Sequence, residues 1–308
     1  MSNELNFLEI LRKELKQPDI TLPIGDDAAV FNNYIITTDA MVENIHFTSK
    51  ASINNIIFKL FTSNVSDIAA MGGTPLYSLL SLSIPKGKFS QKELIDAIKY
   101  AINKYGIYLI GGDTTSSMKD AFFSATIIGK KRANLLTRKS ARPGDLLYLS
   151  RQTGLAQVSL EKEIHNKPFD IDTFFHYNIL AEKELGELLG KTDCVNACID
   201  ISDGMGIDLM HIASESKVKI VVEANKLPIN HLKKYNIDPI KYAINSGEEY
   251  ALIFTSPFNK NEKLINIIKE KLNRNIYNIG YIEEGFGVQL KYNNKFIDIS
   301  SKGYIHNI

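Results

Sequence analysis

The sequence predicts a two-domain chain of mixed α/β class, on three observations. It has 308 residues, more than one hydrophobic core usually organises. Strand and helix periods alternate along the second half, the order that layers helices on a sheet. The stretch KKRANLLTRKSARPGD, residues 130–145, is polar and basic with a Pro143–Gly144 turn, so a domain boundary falls there. We set the domains at residues 1–137 and 138–308.

The elements follow in order. In MSNELNFLEILRKELKQ, Leu5, Leu8, Leu11 and Leu15 share one helical face; its acids set it apart from a secretion signal. YIITTDAMV reads as a strand. Over 52–71, Ile53, Ile56, Ile57, Leu60 and Ile68 form an apolar stripe, and Ser52 can cap it. LYSLLSLSIP is a strand stopped by Pro85. SQKELIDAIKYAINKYG has a capping box at Ser90 and Glu93 and a stop at Gly106. IYLIGG and AFFSATIIGK are strands. Beyond the boundary come a strand (LLYLS), a helix (TGLAQVSLEKEI), a helix over 172–190, a strand (ACIDIS), a helix (MGIDLMHIASES) and a strand (VKIVVEA).

Composition narrows the function. The net charge is +1 with no Lys/Arg block, so no nucleic-acid partner is expected. No apolar run reaches the ~18–20 residues of a membrane helix. Only Cys194 and Cys198 are present, too few for a disulfide framework or a complete zinc site. They read as buried small hydrophobes in a cytoplasmic protein.

One arrangement recurs: an apolar run or helix, then Gly, Ser, Thr or Asn, then Asp. It occurs in PIGDDAAV (Asp26, Asp27), IITTDAMVENIHF (Asp39), FTSNVSDIAAMGG (Asp67), YLIGGDTTSS (Asp113) and CIDISDG (Asp200, Asp203). A single such Asp is ordinarily a cap or turn residue. Repetition after apolar runs is harder to explain that way. Clustered carboxylates raise one another's pKa unless a cation holds them ionised. Oxygen ligands without His or Cys point to Mg²⁺ or Ca²⁺, and the EF-hand spacing is absent. Mg²⁺ is typically shared with substrate phosphates, so phosphate cradles are expected. Met71–Gly73, Gly111–Ser117 and Ile201–Gly206 offer glycines, hydroxyls and backbone N–H groups, the last at a helix start. None is a P-loop or a G-x-G-x-x-G motif.

IGDDAAV, TTDAMVENIHF, NVSDIAAMGGTP, IGGDTT, RPGD, IDISDG and SGEEY resemble, in order and spacing and over essentially the whole chain, the thiamine-monophosphate kinase family. Its wider superfamily includes aminoimidazole ribonucleotide synthetase and selenophosphate synthetase. The resemblance implies ATP-dependent conversion of thiamine monophosphate to thiamine diphosphate. It implies an N-terminal mixed-sheet domain that forms a homodimer through its sheet, a C-terminal α/β domain, and a nucleotide cleft between them. It puts Asp27, Thr37, Thr38, Asp39, Asp67, Asp113, Asp200 and Asp203 at positions for several Mg²⁺ ions. Tyr105, Gly112, Asp113, Arg138 and Ser202 fall at ATP positions, and His46, Glu248 and Tyr304 at substrate positions. No covalent catalytic residue is expected, because the substrate phosphate is already an anionic nucleophile for in-line transfer.

Residue by residue, other roles compete. His46 can be a satisfied core or edge histidine, Arg138 a solvated linker charge, Tyr304 core packing, and Glu248 with Glu249 a helix first turn. Asp26 reads as a turn or supporting group, and Asp208 with His211 as a surface pair. Two departures stand out. Ser246 and Glu249 replace a glycine and an aspartate of the family's usual Gly-Gly-Glu-Asp-Tyr, and GYIHNI replaces a tail ending in His-Phe. Both fall near the expected thiamine side. The alternatives are another ATP-using superfamily member, such as an aminoimidazole ribonucleotide synthetase, and a catalytically silent nucleotide- and metal-binding protein.

Overall fold

The computed structural model describes residues 7, 10–12, 14, 15 and 20–304. Of the expected amino-terminal face, Leu5 and Leu8 lie outside the described residues; Leu11 is half-buried and Leu15 exposed.

The first sheet holds β1 (Ala29–Phe31), β2 (Tyr34–Val42), β3 (Thr74–Pro85), β4 (Tyr108–Ser117) and β5 (Phe122–Lys130), in the order β1-β2-β5-β3-β4. Only β3 and β4 run parallel. Helix α1 (Ile53–Ala70) lies on one face, and α2 (Gln91–Tyr105) packs against α1. The local signals act as expected. Ser52 accepts the Asn55 N–H, Ser90 and Glu93 close a capping box, and Gly106 ends α2 in the left-handed region. Ile35, Ile57, Leu60, Phe61, Val65, Phe123 and Ile127 fill the space between sheet and helix, all fully buried. The other face is uncovered among the described residues: Tyr77, Leu79 and Phe122 are exposed, as is nearly all of edge strand β4.

The second sheet runs β12-β11-β8-β10-β6-β9-β7. Its strands are β6 (Asp145–Leu149), β7 (Cys198–Asp200), β8 (Lys219–Glu223), β9 (Leu252–Pro257), β10 (Tyr277–Glu283), β11 (Gly287–Tyr292) and β12 (Lys295–Asp298). Only β8 and β11 are parallel. Helices α3 (Leu155–His165), α4 (Lys183–Leu189), α5 (Met205–Ser216), α6 (Pro239–Asn245) and α7 (Asn261–Leu272) complete this half. Both cysteines are free and buried, as expected. Among the described residues no helix is long and apolar enough to cross a membrane.

Two expectations are corrected. The helix over 172–190 is α4 alone, preceded by a 3-10 turn at Phe175–Tyr177. That turn is fixed by tertiary contacts: His176 is buried, with Nδ1 2.9 Å from Ser159 Oγ and Nε2 3.1 Å from Glu163 Oε2. Continuing the helix would give these up, so tertiary context overrides propensity. Asp208 is not at the surface either. It is 1% exposed and accepts the Gly204 N–H at 3.0 Å, capping its own helix. Burial, then the nearby Arg138 charge, pushes His211 down to about 4, so it is neutral at pH 7.

Candidate functional site

Four separate segments bring acids to one place. Asp27 precedes β1, Asp39 sits on β2, Asp67 on the last turns of α1, and Asp200 ends β7. Carboxylate oxygens of Asp27, Asp67 and Asp200 lie within 4.8 Å of one another. Neighbouring hydroxyls orient them: Thr37 donates to Asp67 Oδ2 at 2.6 Å, and Ser66 donates to Asp200 Oδ2. Ser63 also lowers the pKa of Asp39 through a side-chain hydrogen bond, although burial raises it on balance.

The electrostatics are only partly compensated. Burial, followed by Asp39, Asp200 and Asp27, holds Asp67 well above the usual carboxylate range. Burial, then Asp27, pushes Asp200 up to about 8. Burial raises Asp27 despite its pairing with Arg138, and raises Asp26, beside Asp27, to about 7. Asp27 Oδ2 is buried with no hydrogen-bond partner. Oxygen-only donors in contact, one left orphaned, fit a hard divalent cation such as Mg²⁺.

Arg138 closes one side. Its guanidinium pairs with Asp27, its backbone N–H donates to Asp26 Oδ2 at 3.1 Å, and its side chain is 18% exposed. Burial alone would lower its pKa, but Asp27 and Asp26 outweigh that and keep it protonated. It is an anchored charge rather than a linker residue. Asp26 is the supporting group its position suggested.

The glycine segments differ from open cradles. The N–H groups of Gly72 and Gly73 donate to Ala69 and Ile68 carbonyls, and that of Gly204 to Asp208. Their glycines allow segments to touch: a Cβ on Gly206 would lie 2.2 Å from Ile299 O. Gly112 is likewise required by sheet packing, where a Cβ would meet Leu80 O at 1.9 Å.

Around Glu248 the acids are paired. Glu248 forms an ion pair with Lys59, whose side chain is 2% exposed. Glu248 and Tyr250 hold left-handed backbones, with φ of 56° and 49°. The segment is irregular and not a helix turn. It is pinned by Glu248 N–H to Ser202 O, Tyr250 N–H to Ile201 O, and the Arg151 guanidinium on the carbonyls of Glu249 and Tyr250. His46 is half-buried; its Nδ1 accepts the Val42 N–H at 3.1 Å, which assigns the proton of a neutral ring to Nε2.

Ser246 and Glu249 explain each other. Ser246 Oγ donates to Glu249 Oε1 at 2.7 Å and accepts the Gln157 N–H at 3.0 Å. The same carboxylate oxygen accepts the Gly154 and Ala156 N–H groups at the start of α3. Both residues are buried. The Ser246 and Glu249 departures from the family pattern thus form one contact that caps α3.

The structure does not bring every expected residue to the cluster. Tyr105 is core: it is 3% exposed, with its hydroxyl 2.6 Å from Thr62 Oγ1, accepting the Ala181 N–H, and its ring stacked on Phe58. Thr38 points to the opposite face of β2, donating to Ala125 O. Gly112 and Asp113 sit on edge strand β4, three strand spacings from β2, or about 14 Å. Ser202 is exposed and Asp203 half-buried beside it. Tyr304 is 56% exposed and its N–H donates to Asp203 O at 2.8 Å, which ties the tail to the acid loop. The remaining tail departure lies outside the described residues. Lys59, Ser63, Ser66 and Arg151 were not anticipated. The first three share a face with Asp67 at i, i+4, i+7 and i+8, a polar stripe beside the apolar one; nothing local marks Arg151.

Comparison with known proteins agrees with this architecture. The AIR synthase related protein N-terminal domain matches residues 25–130, and the corresponding C-terminal domain residues 142–293. Thiamine-monophosphate kinase of Buchnera aphidicola subsp. Acyrthosiphon pisum is 34% identical, with 96% of this chain and 95% of that protein aligned. The Pyrococcus horikoshii enzyme is 33% identical over 97% and 95%. The solved structure of AaThiL complexed with AMPPCP and TMP superposes with a TM-score of 0.81, at 28% identity over 97% of this chain and 96% of that one. Sequence, fold and acid cluster therefore converge: the chain belongs to the thiamine-monophosphate kinase family, enzymes that phosphorylate thiamine monophosphate with ATP.

Proposed function

We propose how this chain carries out the ATP-dependent phosphorylation of thiamine monophosphate. The observation that carries the reading is the contact of Asp27, Asp67 and Asp200, three acids whose pKa values rise together and whose one orphaned oxygen awaits a cation. These residues would hold Mg²⁺, with Thr37 and Asp39 behind them and Asp203 on the adjoining loop. Mg²⁺ bound there would neutralise the charge that accumulates on the phosphates during transfer.

The chain's own part is binding and alignment. Arg138, kept protonated by Asp26 and Asp27, supplies a fixed positive charge for the nucleotide phosphates. Ser202, exposed next to Asp203, adds a hydroxyl. Glu248, His46 and Tyr304 address the thiamine monophosphate: a carboxylate for its nitrogen-rich rings, an Nε2–H donor for its phosphate, and an exposed ring for stacking. Residues 1–137 contribute His46, Asp27, Asp39 and Asp67; residues 138–308 contribute Arg138, the β7 loop and Glu248.

A homodimer follows from the uncovered face of the first sheet. Tyr77, Leu79 and Phe122 are exposed there, and Tyr108 and Ile110 stand 71% and 57% exposed on the unpaired edge. Such a surface needs cover, and a second copy supplies the same surface. Thr38 and Asp113 lie on that side, so their role belongs to the dimer. Two free buried cysteines support a cytoplasmic setting.

Purified protein with ATP, Mg²⁺ and thiamine monophosphate should form thiamine diphosphate and ADP in equal amounts. ATP consumption without thiamine diphosphate would overturn the reading. Light scattering should give twice the 34.6 kDa chain mass.

A further inference from the structure

Lys59 is the one ammonium in α1, and it is 1% exposed. A buried cation is costly unless fully compensated. Three groups surround it. Its Nζ pairs with the Glu248 carboxylate, donates to the His46 carbonyl at 3.2 Å, and lies 5.1 Å from the centre of the Tyr177 ring. The contacts come from both halves of the molecule. His46 belongs to the turn after β2, Tyr177 to the 3-10 turn, and Glu248 to the strained segment before β9.

We infer that Lys59 positions Glu248 and the His46 turn for the substrate, and so sets affinity for thiamine monophosphate without taking part in transfer. This rests on the reading of Glu248 as a substrate residue. A carboxylate has about four acceptor sites on two oxygens. Lys59 occupies Oε1, while the Glu248 side chain stays 31% exposed. Acceptor capacity therefore remains for a ligand N–H, on a carboxylate that cannot swing away. The same ammonium fixes the backbone that carries His46. One buried charge thus sets the spacing between the His46 turn and Glu248, which come from the two halves of the molecule. Along α1, Lys59 and Asp67 are eight residues, about 12 Å, apart, which separates this role from the metal cluster.

Steady-state kinetics of Lys59→Met, Lys59→Arg, Glu248→Gln and the double variant Lys59→Met/Glu248→Gln, varying each substrate in turn, test this. Lys59→Met should raise KM for thiamine monophosphate roughly tenfold or more. Its kcat should stay within about threefold, and KM for ATP should not change. Lys59→Arg should recover part of the loss. The double variant should be little worse than either single one, because both act through one carboxylate. KM is independent of the fraction folded, and the double variant removes the buried charge together with its partner, so poor folding of Lys59→Met does not hide the answer. If Glu248→Gln raises KM and Lys59→Met does not, the inference is overturned. An equal rise in both KM values, or a loss confined to kcat, would show a general structural role and overturn it too. If Glu248→Gln leaves KM unchanged, the reading of Glu248 fails, and this inference with it.

Discussion

Two acidic ends of the molecule meet their charges differently. At one end Asp27, Asp67 and Asp200 face each other, with only Arg138 on one side, and burial and mutual repulsion lift their pKa values. At the other end Glu248 and Glu249 are each answered: Glu248 by Lys59, Glu249 by a hydroxyl and two backbone N–H groups at the start of α3. Unanswered acids cost stability until a cation arrives. Answered acids are already part of the architecture and give shape. The contrast underlies the proposed division between metal binding and positioning.

The largest effect is expected at the unanswered end. Asp200→Asn keeps the shape and removes a charge that would help hold Mg²⁺. We expect kcat to fall by roughly two orders of magnitude, the scale of losing one preorganised electrostatic group. The Mg²⁺-free variant should melt no lower than the wild type. Activity within a few-fold of wild type, or a clear loss of Mg²⁺-free stability, would erase the distinction between the ends.

A pH series sharpens the same point. Asp200 titrates near 3.8 when unfolded and about 8 when folded. A group with a raised folded pKa contributes its stability below the unfolded value and loses it as pH rises through the folded value. Without Mg²⁺, the melting temperature of Asp200→Asn should therefore gain on that of the wild type between pH 4 and pH 8. Saturating Mg²⁺ should reverse the order near pH 8. A constant gap across the series would show that Asp200 ionises normally.

Much of this was legible in the sequence, and the limits are physical. The caps at Ser52 and Ser90 and the strand YIITTDAMV are local, and local chemistry decides them. The acids of the cluster could be named because each interrupts an apolar run. Their grouping came only from the family resemblance, since in the fold it depends on α1 crossing β2 and meeting the end of β7. Glycines misled. Those of MGG and ISDGMG looked like phosphate cradles but serve close contact between chain segments, which spacing alone cannot distinguish. Lys59 was hidden because a lysine within a helix is ordinarily solvent-facing. Residues 172–182 read as helix because periodicity does not register the pull of a buried Glu163–His176 pair.

At the answered end a moderate effect is expected from Glu249→Ala. It strands the Gly154 and Ala156 N–H groups and the Ser246 hydroxyl, each buried. Losing a charged acceptor shared by three donors should cost about 2–3 kcal/mol, read from urea unfolding. Conservation of full stability would mean that α3 does not need this cap.

The smallest effect belongs to Ser246→Ala, and it decides how the family departures are understood. The hydroxyl both donates to Glu249 and accepts from Gln157 N–H, so alanine leaves one backbone donor unmet and removes one of three hydrogen bonds from a buried carboxylate. Burial already raises the Glu249 pKa, with Ser246 foremost among the groups that lower it. Losing that hydroxyl should raise it further and cost about 1 kcal/mol. Because the contact faces α3, KM for thiamine monophosphate should stay within about twofold. Glu249→Asp alone should also destabilise, because the shorter side chain reaches the α3 N–H groups less well. In a double-mutant cycle with Ser246→Gly the two losses should overlap, with a coupling of about 0.5 kcal/mol or more, since both act on one hydrogen-bonded contact. Additive losses would mean that the two departures arose independently. A several-fold change in KM would place them at the substrate surface, where the motif alone had suggested.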